Sequence, residues 1–311
     1  MISRTTVIVL LPDWRIKLWD LVSQREILTL PLHRDFPDRD FTWDRQLPMA
    51  LSPDGRVLAT RRGEHINLWS IENGNRLHWL AGRSYWVIAA CVFSPDGTML
   101  AAGLEPYPEL YDQAELRETV DLWDVASGQR VRSFQGDAGE VHPPHVRAVS
   151  FSPDGFILAS GGLGGSIKLF DVATAAELRR LEPAPMIETL TFSPDGSALA
   201  IQGGSLWDLG SYRTPHRKRN AAPHSSDPTA ALAFSADGQL IASGWADGSI
   251  ALCDRWSGKE LIRFNGHKSA VESIAFLPDG RTLASEFEDG TVRLWDVMSG
   301  KEMSAFDASL G

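Results

Sequence analysis

The chain contains 311 residues, of which 43% are hydrophobic, so it can bury one large core or an array of small units. Its formal net charge is -10, from 40 acidic and 30 basic residues, which argues against bulk binding to nucleic acid or an anionic membrane. Cys91 and Cys253 are the two cysteines, and both lie in apolar strand-like segments, so neither a disulfide framework nor a zinc site is expected. The apolar run "VIVLL" is too short for a signal peptide or a membrane helix, and we expect a cytoplasmic protein.

The first predicted elements are two strands in the opening segment, "VIVL" and "IKLWD". The second of these belongs to a repeated pattern of the form apolar-x-Leu-aromatic-Asp, with variations. Seven copies occur, and the residues at the aromatic position are Trp19, Trp69, Trp123, Phe170, Trp207, Cys253 and Trp295. Seven copies in one chain predict seven similar structural units.

A second repeated element, "SPDG" or a near copy, precedes all but the first of these patterns. Its aspartates are Asp54, Asp96, Asp154, Asp195, Asp237 and Asp279, at steps of 42, 58, 41, 42 and 42 residues. The segments between these marks are short, β-rich and separated by Asp-Gly or Ser-Gly turns, which indicates four strands per unit. A four-stranded sheet of about 40 residues buries its faces only against neighbouring sheets, so the period predicts an all-β, seven-bladed β-propeller.

The last unit, "FNGHKSAVESIAFLPDGRTLASEFEDGTVRLWD", resembles a WD40 repeat at nearly every marked position. The resemblance extends over essentially the whole chain, and the phrases "FSPDG" and "LWDVASGQ" are similar to bacterial WD40 repeats. It implies the propeller fold strongly and a particular function weakly, because this fold serves many functions.

We predict a single propeller domain spanning residues 1–311. The approximate blade boundaries are 1–31, 32–81, 82–136, 137–182, 183–220, 221–265 and 266–311. Asp13 precedes Trp19 by six residues, as Asp289 precedes Trp295, so "VIVL" aligns with a second strand and blade one apparently lacks its innermost strand. Three explanations remain open: a start further upstream, a ring closed by a three-stranded blade, or strand donation by a partner at the open edge.

The WD40 resemblance also implies a buried structural hydrogen-bond relay in each blade. Only the last blade has all four residues, which are His267, Ser285, Asp289 and Trp295. Blade six retains Ser243 and Asp247 but has Cys253 in place of the tryptophan. A Ser/His/Asp set could suggest a catalytic triad, but the repeat context assigns these residues a buried structural role.

Insertions concentrate on one predicted face of the propeller. The connection from Trp19 to Pro53 takes 34 residues where regular blades use 24 to 26, and the second-to-third-strand hairpin of blade three is also extended. Strand direction places these loops on the same side. Eight aromatic residues map to the loops of this face and are predicted to form a partner-binding surface, namely Phe36, Phe41, Trp43, Tyr85, Trp86, Tyr107, Tyr111 and Trp245. The alternative is that some of them pin the loops onto the blades.

The charges of the same loops are uneven. The blade-three hairpin carries five carboxylates between Glu105 and Glu118, whereas the segment from residue 213 to 219 is basic. An anionic partner could contact the residues Arg213, Arg217, Lys218 and Arg219. The alternative is that these charges are solvated and protect an outer strand from edge pairing.

These patterns favour a non-enzymatic protein-interaction module that binds a protein or peptide within a larger complex. No catalytic residues, no metal ligands and no cofactor are expected, and nucleic acid would be contacted only indirectly. Two alternatives are a nucleic-acid contact through the basic segment, and a small-molecule-sensing or hydrolytic propeller that uses the central channel. The second would need converging carboxylates, histidines or a metal cluster, which the repeat positions do not offer.

Overall fold

The computed structural model describes residues 2–3, 6–10, 15–31, 49–107, 119–135, 145–181, 187–201, 205–210, 218–220, 229–264 and 267–308. Within these residues, 28 strands form seven four-stranded sheets, and the strands of each sheet neighbour one another in chain order. All strand pairs of described register are antiparallel, for example β1 (Ile2–Ser3) with β2 (Thr6–Leu10). This is the fold class of a seven-bladed β-propeller, as predicted.

The described chain divides into two compact units, one of residues 1–34 and 191–311 and the other of residues 35–190. The second unit contains sheets two to four. The strands of sheet two are β5 (Met49–Leu51), β6 (Val57–Arg62), β7 (His65–Ser70) and β8 (Arg76–Leu80). Those of sheet three are β9 (Trp86–Phe93), β10 (Met99–Pro106), β11 (Thr119–Asp124) and β12 (Arg130–Gln135). Those of sheet four are β13 (Val146–Phe151), β14 (Ile157–Gly162), β15 (Ile167–Asp171) and β16 (Glu177–Leu181).

The first unit contains the remaining sheets. Sheet one continues with β3 (Arg15–Asp20) and β4 (Arg25–Pro31). The strands of sheet five are β17 (Leu190–Phe192), β18 (Ala198–Ile201), β19 (Ser205–Asp208) and β20 (Lys218–Asn220). Those of sheet six are β21 (Thr229–Phe234), β22 (Leu240–Trp245), β23 (Ile250–Asp254) and β24 (Glu260–Phe264). Those of sheet seven are β25 (Val271–Phe276), β26 (Thr282–Phe287), β27 (Thr291–Asp296) and β28 (Glu302–Asp307).

Sheet one has three full-length strands, and its innermost position holds only the two-residue strand β1, which pairs with β2 through Ile2↔Val7 and Ser3↔Thr6. This short strand agrees with the prediction of an incomplete first blade. It differs in that two residues do pair at the innermost position. Sheet one packs against sheet seven, where Val7 and Val9 share a buried cluster with Leu294 and Ala308. Strand donation by a partner stays a prediction.

The cores of both units lie between neighbouring sheets, because each sheet is apolar on both faces. In the second unit, one cluster joins sheets two and three through residues such as Leu68 and Leu104, and another joins sheets three and four. In the first unit, Leu252 and Phe287 belong to the cluster between sheets six and seven. Burial of these faces stabilises the sheets at about 25 cal/mol for each Å² of apolar surface removed from water.

The "SPDG" segments are tight turns between the first and second strands. In the turn after β9, the Ser94 hydroxyl donates to Asp96 Oδ1 over 2.5 Å, and the Thr98 amide donates to the same carboxylate. Gly97 has φ +73°, a conformation that favours glycine because it has no Cβ. The serines and aspartates at the equivalent positions of the next three sheets make the same hydroxyl–carboxylate contact.

The second-to-third-strand turns lie beside the connections that enter the next sheet, as strand direction predicts. In the first unit, Gly248 has φ +82°, and a Cβ there would lie 2.5 Å from the carbonyl oxygen of His267. In the second unit, a Cβ on Gly82 would lie 1.6 Å from the Glu64 carbonyl oxygen. Glycine is needed at both positions because the backbones touch. This side of the sheets carries the predicted recognition loops.

Candidate functional site

The candidate site lies where the connection from β8 to β9 meets the end of β10. Both β9 and β10 have eight residues, more than the other described strands, and a β-bulge interrupts their register between Gly103 and Leu104. The pairing continues beyond the bulge to Pro106↔Trp86. Bulges often redirect side chains near functional sites, and here the extended strands carry Tyr85 and Tyr107 beyond the end of the regular ladder.

Tyr85 is the most unusual residue of this connection. It has φ +67°, a conformation that non-glycine residues rarely adopt, and it remains 55% exposed. The Trp86 amide donates to the Arg83 carbonyl over 3.1 Å, so residues 83–86 form a tight turn with a positive φ at the third position, as in a type II turn. Strain at an exposed aromatic residue points to a functional hypothesis.

Three hydrogen bonds hold the backbone around Tyr85. Its amide donates to Glu64 Oε1 over 2.7 Å, and its carbonyl accepts from the Tyr107 amide over 2.9 Å. The Gly82 amide donates to His65 Nδ1 over 3.2 Å. Burial lowers the pKa of His65; in addition, the charge of Glu64 raises this pKa and that of Arg62 lowers it, both by less than burial does. The low pKa favours the neutral ring, in which Nδ1 can accept the hydrogen bond.

The same connection is tied to sheet three by a buried ion pair. Arg83 Nε and Nη2 donate to Asp121 Oδ2 and Oδ1 over 3.0 and 2.9 Å, and Asp121 is 0% exposed. The carboxylate also accepts from Ser133 Oγ over 2.5 Å and from Arg130 Nη1 over 3.0 Å. A two-point arginine–carboxylate contact fixes orientation as well as distance, so the connection is anchored on both of its sides.

Aromatic rings form the exposed surface of the site. The Tyr85 and Tyr107 rings lie 6.5 Å apart in a T-shaped arrangement at 86°, a favourable geometry for aromatic pairs. Trp86 and Tyr107 are each half-buried. On β8, the exposed Trp79 ring packs on His65 with 4.1 Å between the ring centroids. The structure therefore brings together three of the predicted partner-binding residues, Tyr85, Trp86 and Tyr107.

Charged groups next to Tyr107 are paired with one another. Glu105 forms ion pairs with His145, which is buried, and with Arg147 Nη2 at 3.3 Å. Burial would raise the pKa of Glu105, but the hydrogen bonds and charges of His145 and Arg147 outweigh it and hold the pKa below its usual value. The charge of Glu105, one of the five carboxylates of this hairpin, is thus locally compensated.

Trp245 requires a correction. It is the last residue of β22 and only 2% exposed, whereas the sequence placed it in an exposed loop. Its ring packs with Ala251 and Cys253 on the same face of sheet six, and the Arg263 guanidinium lies 5.5 Å from its centroid. Its bulk lies next to the cysteine that replaces the repeat tryptophan, so Trp245 is a core residue and not an exposed contact residue.

Several predicted site residues lie outside the described residues. These are Phe36, Phe41, Trp43, Tyr111, Arg213 and Arg217. Lys218 and Arg219 belong to β20, the outermost strand of sheet five, and pair with Trp207 and Leu206. Contact of these residues with an anionic partner stays a prediction.

The four relay residues of sheet seven lie in two hydrogen-bonded pairs. Trp295 Nε1 donates to Ser285 Oγ over 2.8 Å, and His267 Nε2 lies 3.1 Å from Asp289 Oδ2. Thr291 joins the second pair, with its hydroxyl 2.9 Å from His267 Nε2 and 2.7 Å from Asp289 Oδ1. Ser285 is 0% exposed, which fits the structural role that the resemblance implies for this set.

The described residues hold no group of three or more His, Cys, Asp or Glu side chains arranged to bind a metal ion. No helix among them is long and apolar enough to cross a membrane. Burial raises the pKa of the Cys91 thiol to about 12 and that of the Cys253 thiol to about 11. Both thiols are therefore protonated near neutral pH and poorly nucleophilic.

Sequence reasoning found the three aromatic residues but missed the groups that hold them. Glu64, Gly82, Arg83 and Asp121 carry no signal of their own, because an aspartate inside "VDLWD" or an arginine in a connection is common on protein surfaces. The corresponding position of other blades holds Lys17 or Asn67. Only the fold shows that Asp121 is buried and faces Arg83.

Comparisons with known proteins agree with the repeat assignment. The model of the WD40 family, described as "WD domain, G-beta repeat", matches residues 128–171, 219–254 and 258–296. Each match covers the outermost strand of one sheet and the first three strands of the next. The repeat unit and the blade are therefore offset by one strand. The three matched segments are therefore similar to WD40 repeats, and the seven four-stranded sheets have the fold class of a β-propeller.

Individual relatives are similar over part of the chain. A WD repeat-containing protein VIP3 from Arabidopsis thaliana is 35% identical over 185 residues, which cover 55% of this chain and 56% of the relative. The small ribosomal subunit protein RACK1 of Drosophila melanogaster is 30% identical over 143 residues, 42% of each chain. RACK1z of Oryza sativa is 35% identical over 119 residues, 36% of each chain. The chain thus spans about half the length of these relatives, or less.

Proposed function

We propose that this chain is a non-enzymatic protein-interaction module that binds a protein or peptide through the loop-bearing side of its sheets. The observation that carries the proposal is the exposed Tyr85, held at a positive φ and packed edge-on against Tyr107. Together with Trp86 these residues form what we call the aromatic site. Aromatic side chains on a rigid scaffold contribute much of the binding energy at protein interfaces.

The names of the relatives support association within a larger complex. RACK1 of Drosophila melanogaster is named as a small ribosomal subunit protein, and we propose that this chain likewise works as part of an assembly, in the cytoplasm. The similarity to bacterial repeats in "FSPDG" and "LWDVASGQ" stays a prediction, and the relatives described above are eukaryotic.

The test is affinity capture with cross-linking mass spectrometry from a lysate of the source organism, followed by affinity measurement with the purified partner. The variant Tyr85→Ala/Tyr107→Ala removes the ring pair. We expect its affinity to fall at least about tenfold, because interface hot spots cost more than about 1.4 kcal/mol when truncated. Cross-links near residues 64–107 would accompany binding to the wild-type chain.

Trp256→Ala is the matched control. Trp256 is 52% exposed, almost as much as Tyr85, but it follows β23 in a third-to-fourth-strand turn, where its Nε1 donates to Gln239 Oε1 over 3.0 Å. We expect this variant to retain the partner. If the aromatic-site variant stays folded and retains every partner, or if both variants lose binding equally, the aromatic site is not the binding surface.

A further inference from the structure

We infer that Arg83, anchored on the buried Asp121, is a positioning residue that presets Tyr85 for its partner. The expected effect of Arg83 on binding rests on the proposed function. The expected effect of Arg83 on the turn concerns the free protein alone. Arg83 contacts no exposed ring of the aromatic site in the described structure; it acts through the backbone of residues 83–86.

The strained turn needs an external constraint. A tyrosine at φ +67° is unfavourable compared with an extended conformation and persists only where surrounding contacts determine it. The turn residues Ser84 and Tyr85 bury little surface, since both are exposed. Packing of the turn itself therefore cannot supply the constraint, and hydrogen bonds must do so.

Arg83 supplies this constraint at the first position of the turn. Its guanidinium bonds Asp121 at two points and Ser133 Oγ at a third, over 2.9 Å, and Asp121 and Ser133 lie on β11 and β12 inside sheet three. At the other end of the turn, Tyr107 and Glu64 hold the carbonyl and amide of Tyr85. The turn is thus fixed to sheet three on one side and to sheet two on the other.

A fixed turn benefits recognition because it does not have to be ordered when the partner binds. Ordering a mobile loop at an interface lowers affinity even when every contact is retained. Releasing Arg83 should therefore weaken binding although no contact residue is removed. This distinguishes a positioning role from a contact role.

The same carboxylate provides a matched pair of variants. Arg83→Ala and Arg130→Ala each remove one guanidinium from Asp121 and leave the other, together with Ser133, in place. Neither variant leaves the buried carboxylate without partners, so both should fold. Arg130 shares Asp121 Oδ2 with Arg83, but it belongs to β12 and its backbone is not part of the turn of residues 83–86.

The first measurement is amide hydrogen exchange on the free protein. For Arg83→Ala we expect the amides of Tyr85, Trp86 and Tyr107 to exchange at least about tenfold faster, because local opening sets their protection. The amides of β11 should be unchanged, and Arg130→Ala should exchange like the wild type. Arg83→Lys, which retains the charge without the two-point contact, should restore part of the protection and serves if Arg83→Ala does not fold.

Equal exchange in Arg83→Ala and Arg130→Ala would overturn the inference, and so would unchanged protection in Arg83→Ala. The second measurement is affinity for the partner captured with the wild-type chain, which we expect Arg83→Ala to lower at least about threefold. If Tyr85→Ala lowers the affinity and Arg83→Ala does not, the positioning role is wrong and the proposed function stands. If Tyr85→Ala leaves the affinity unchanged, the proposed function fails, while the exchange data still decide whether Arg83 holds the turn.

Discussion

The indole nitrogens of the repeat tryptophans differ in how they are satisfied. Trp295 Nε1 donates to Ser285, and Trp69 Nε1 donates to Thr60 Oγ1 over 2.9 Å. Trp19 Nε1 and Trp207 Nε1 find no hydrogen-bond acceptor among the described residues. At the position that serine or threonine occupies in the other two sheets, sheet one has Val9. The residues of the relay have therefore been replaced individually in different sheets and not all together.

In sheet six the serine of the relay is present and the tryptophan is missing, the reverse of sheet one. Ser243 is retained, but Cys253 stands where the tryptophan would be, and Ser243 Oγ has no hydrogen-bond partner among the described residues. A buried hydroxyl without a partner is destabilising. The Trp245 ring packs with Cys253, so the apolar volume is filled although the hydrogen bond is absent.

A pair of serine substitutions tests the difference between the two sheets. Ser285→Ala leaves the buried Trp295 Nε1 without an acceptor, and we expect the free energy of unfolding to fall by about 1–3 kcal/mol. Ser243→Ala removes a hydroxyl that has no partner, and we expect the free energy of unfolding to stay within about 0.5 kcal/mol of wild type or to rise. Urea unfolding curves of both variants measure this. A loss of similar size in both would show that the hydrogen bond in sheet seven is not the cause.

At the scale of single elements, the "SPDG" turns couple stability to pH. The Ser94 hydroxyl and then the Thr98 amide lower the pKa of Asp96 below its ordinary 3.8, against a smaller opposing effect of burial. Asp54 and Asp237 are lowered in the same way by Ser52 and Ser235. Because the folded state binds protons less readily than the unfolded chain, these carboxylates stabilise the fold above about pH 4 and lose this effect as the pH falls below it.

The variant Asp96→Asn tests this coupling. It cannot titrate, so we expect its thermal midpoint to fall less than that of the wild type between pH 5 and pH 2.5. Ser94→Ala, which removes the main cause of the low pKa, should also reduce the fall. Differential scanning calorimetry at several pH values gives the comparison. Equal acid dependence of all three proteins would mean that this turn does not contribute.

The turns also show how far sequence reasoning reaches. Gly97 and Asp96 form the turn that their residue types predict, because the positive φ and the hydrogen bonds are local. Tyr85 could not have been predicted to have a positive φ, since no tyrosine favours it. The cause lies in Glu64, Arg83 and Tyr107, up to 22 residues away. The same reason explains the error at Trp245, which shares a buried cluster with Ala251 and Cys253 of the neighbouring strand.

For the whole molecule, the prediction of one domain can be tested through the two cysteines. Cys91 lies in β9 of one compact unit and Cys253 in β23 of the other. Burial raises the pKa of both thiols, so they should react with a disulfide reagent at pH 8 mainly after local or global opening. If residues 1–311 fold as one domain, both thiols should become reactive at the same urea concentration.

The single-cysteine variants Cys91→Ala and Cys253→Ala assign the reactivity to each thiol. Their thermal midpoints are compared first, so that any stability change from the substitution is known. Two separate transitions, one for each thiol, would contradict a single cooperative domain. They would show that the two units unfold independently.

The sequence by itself determined the fold class of this protein. Seven copies of the apolar-x-Leu-aromatic-Asp pattern, with variations, and six Asp-Gly turns specify short strands of similar length, and such sheets have apolar faces that only neighbouring sheets can cover. This information is local and repeated, so single departures such as Cys253 or Phe170 do not obscure it. The three aromatic residues of the aromatic site were also found, because Tyr107 lies in a hairpin longer than the repeat period and because strand direction places the connection of Tyr85 and Trp86 on the same side.

Only the tertiary structure decided which aromatic residues are exposed and what holds them. Tyr85 and Trp245 have similar sequence surroundings of glycine and small polar residues, yet one is 55% exposed and the other 2%. The difference depends on contacts between residues far apart in the chain, such as the pairing of Arg83 with Asp121. Such contacts follow from packing in three dimensions and leave no periodic pattern in the sequence.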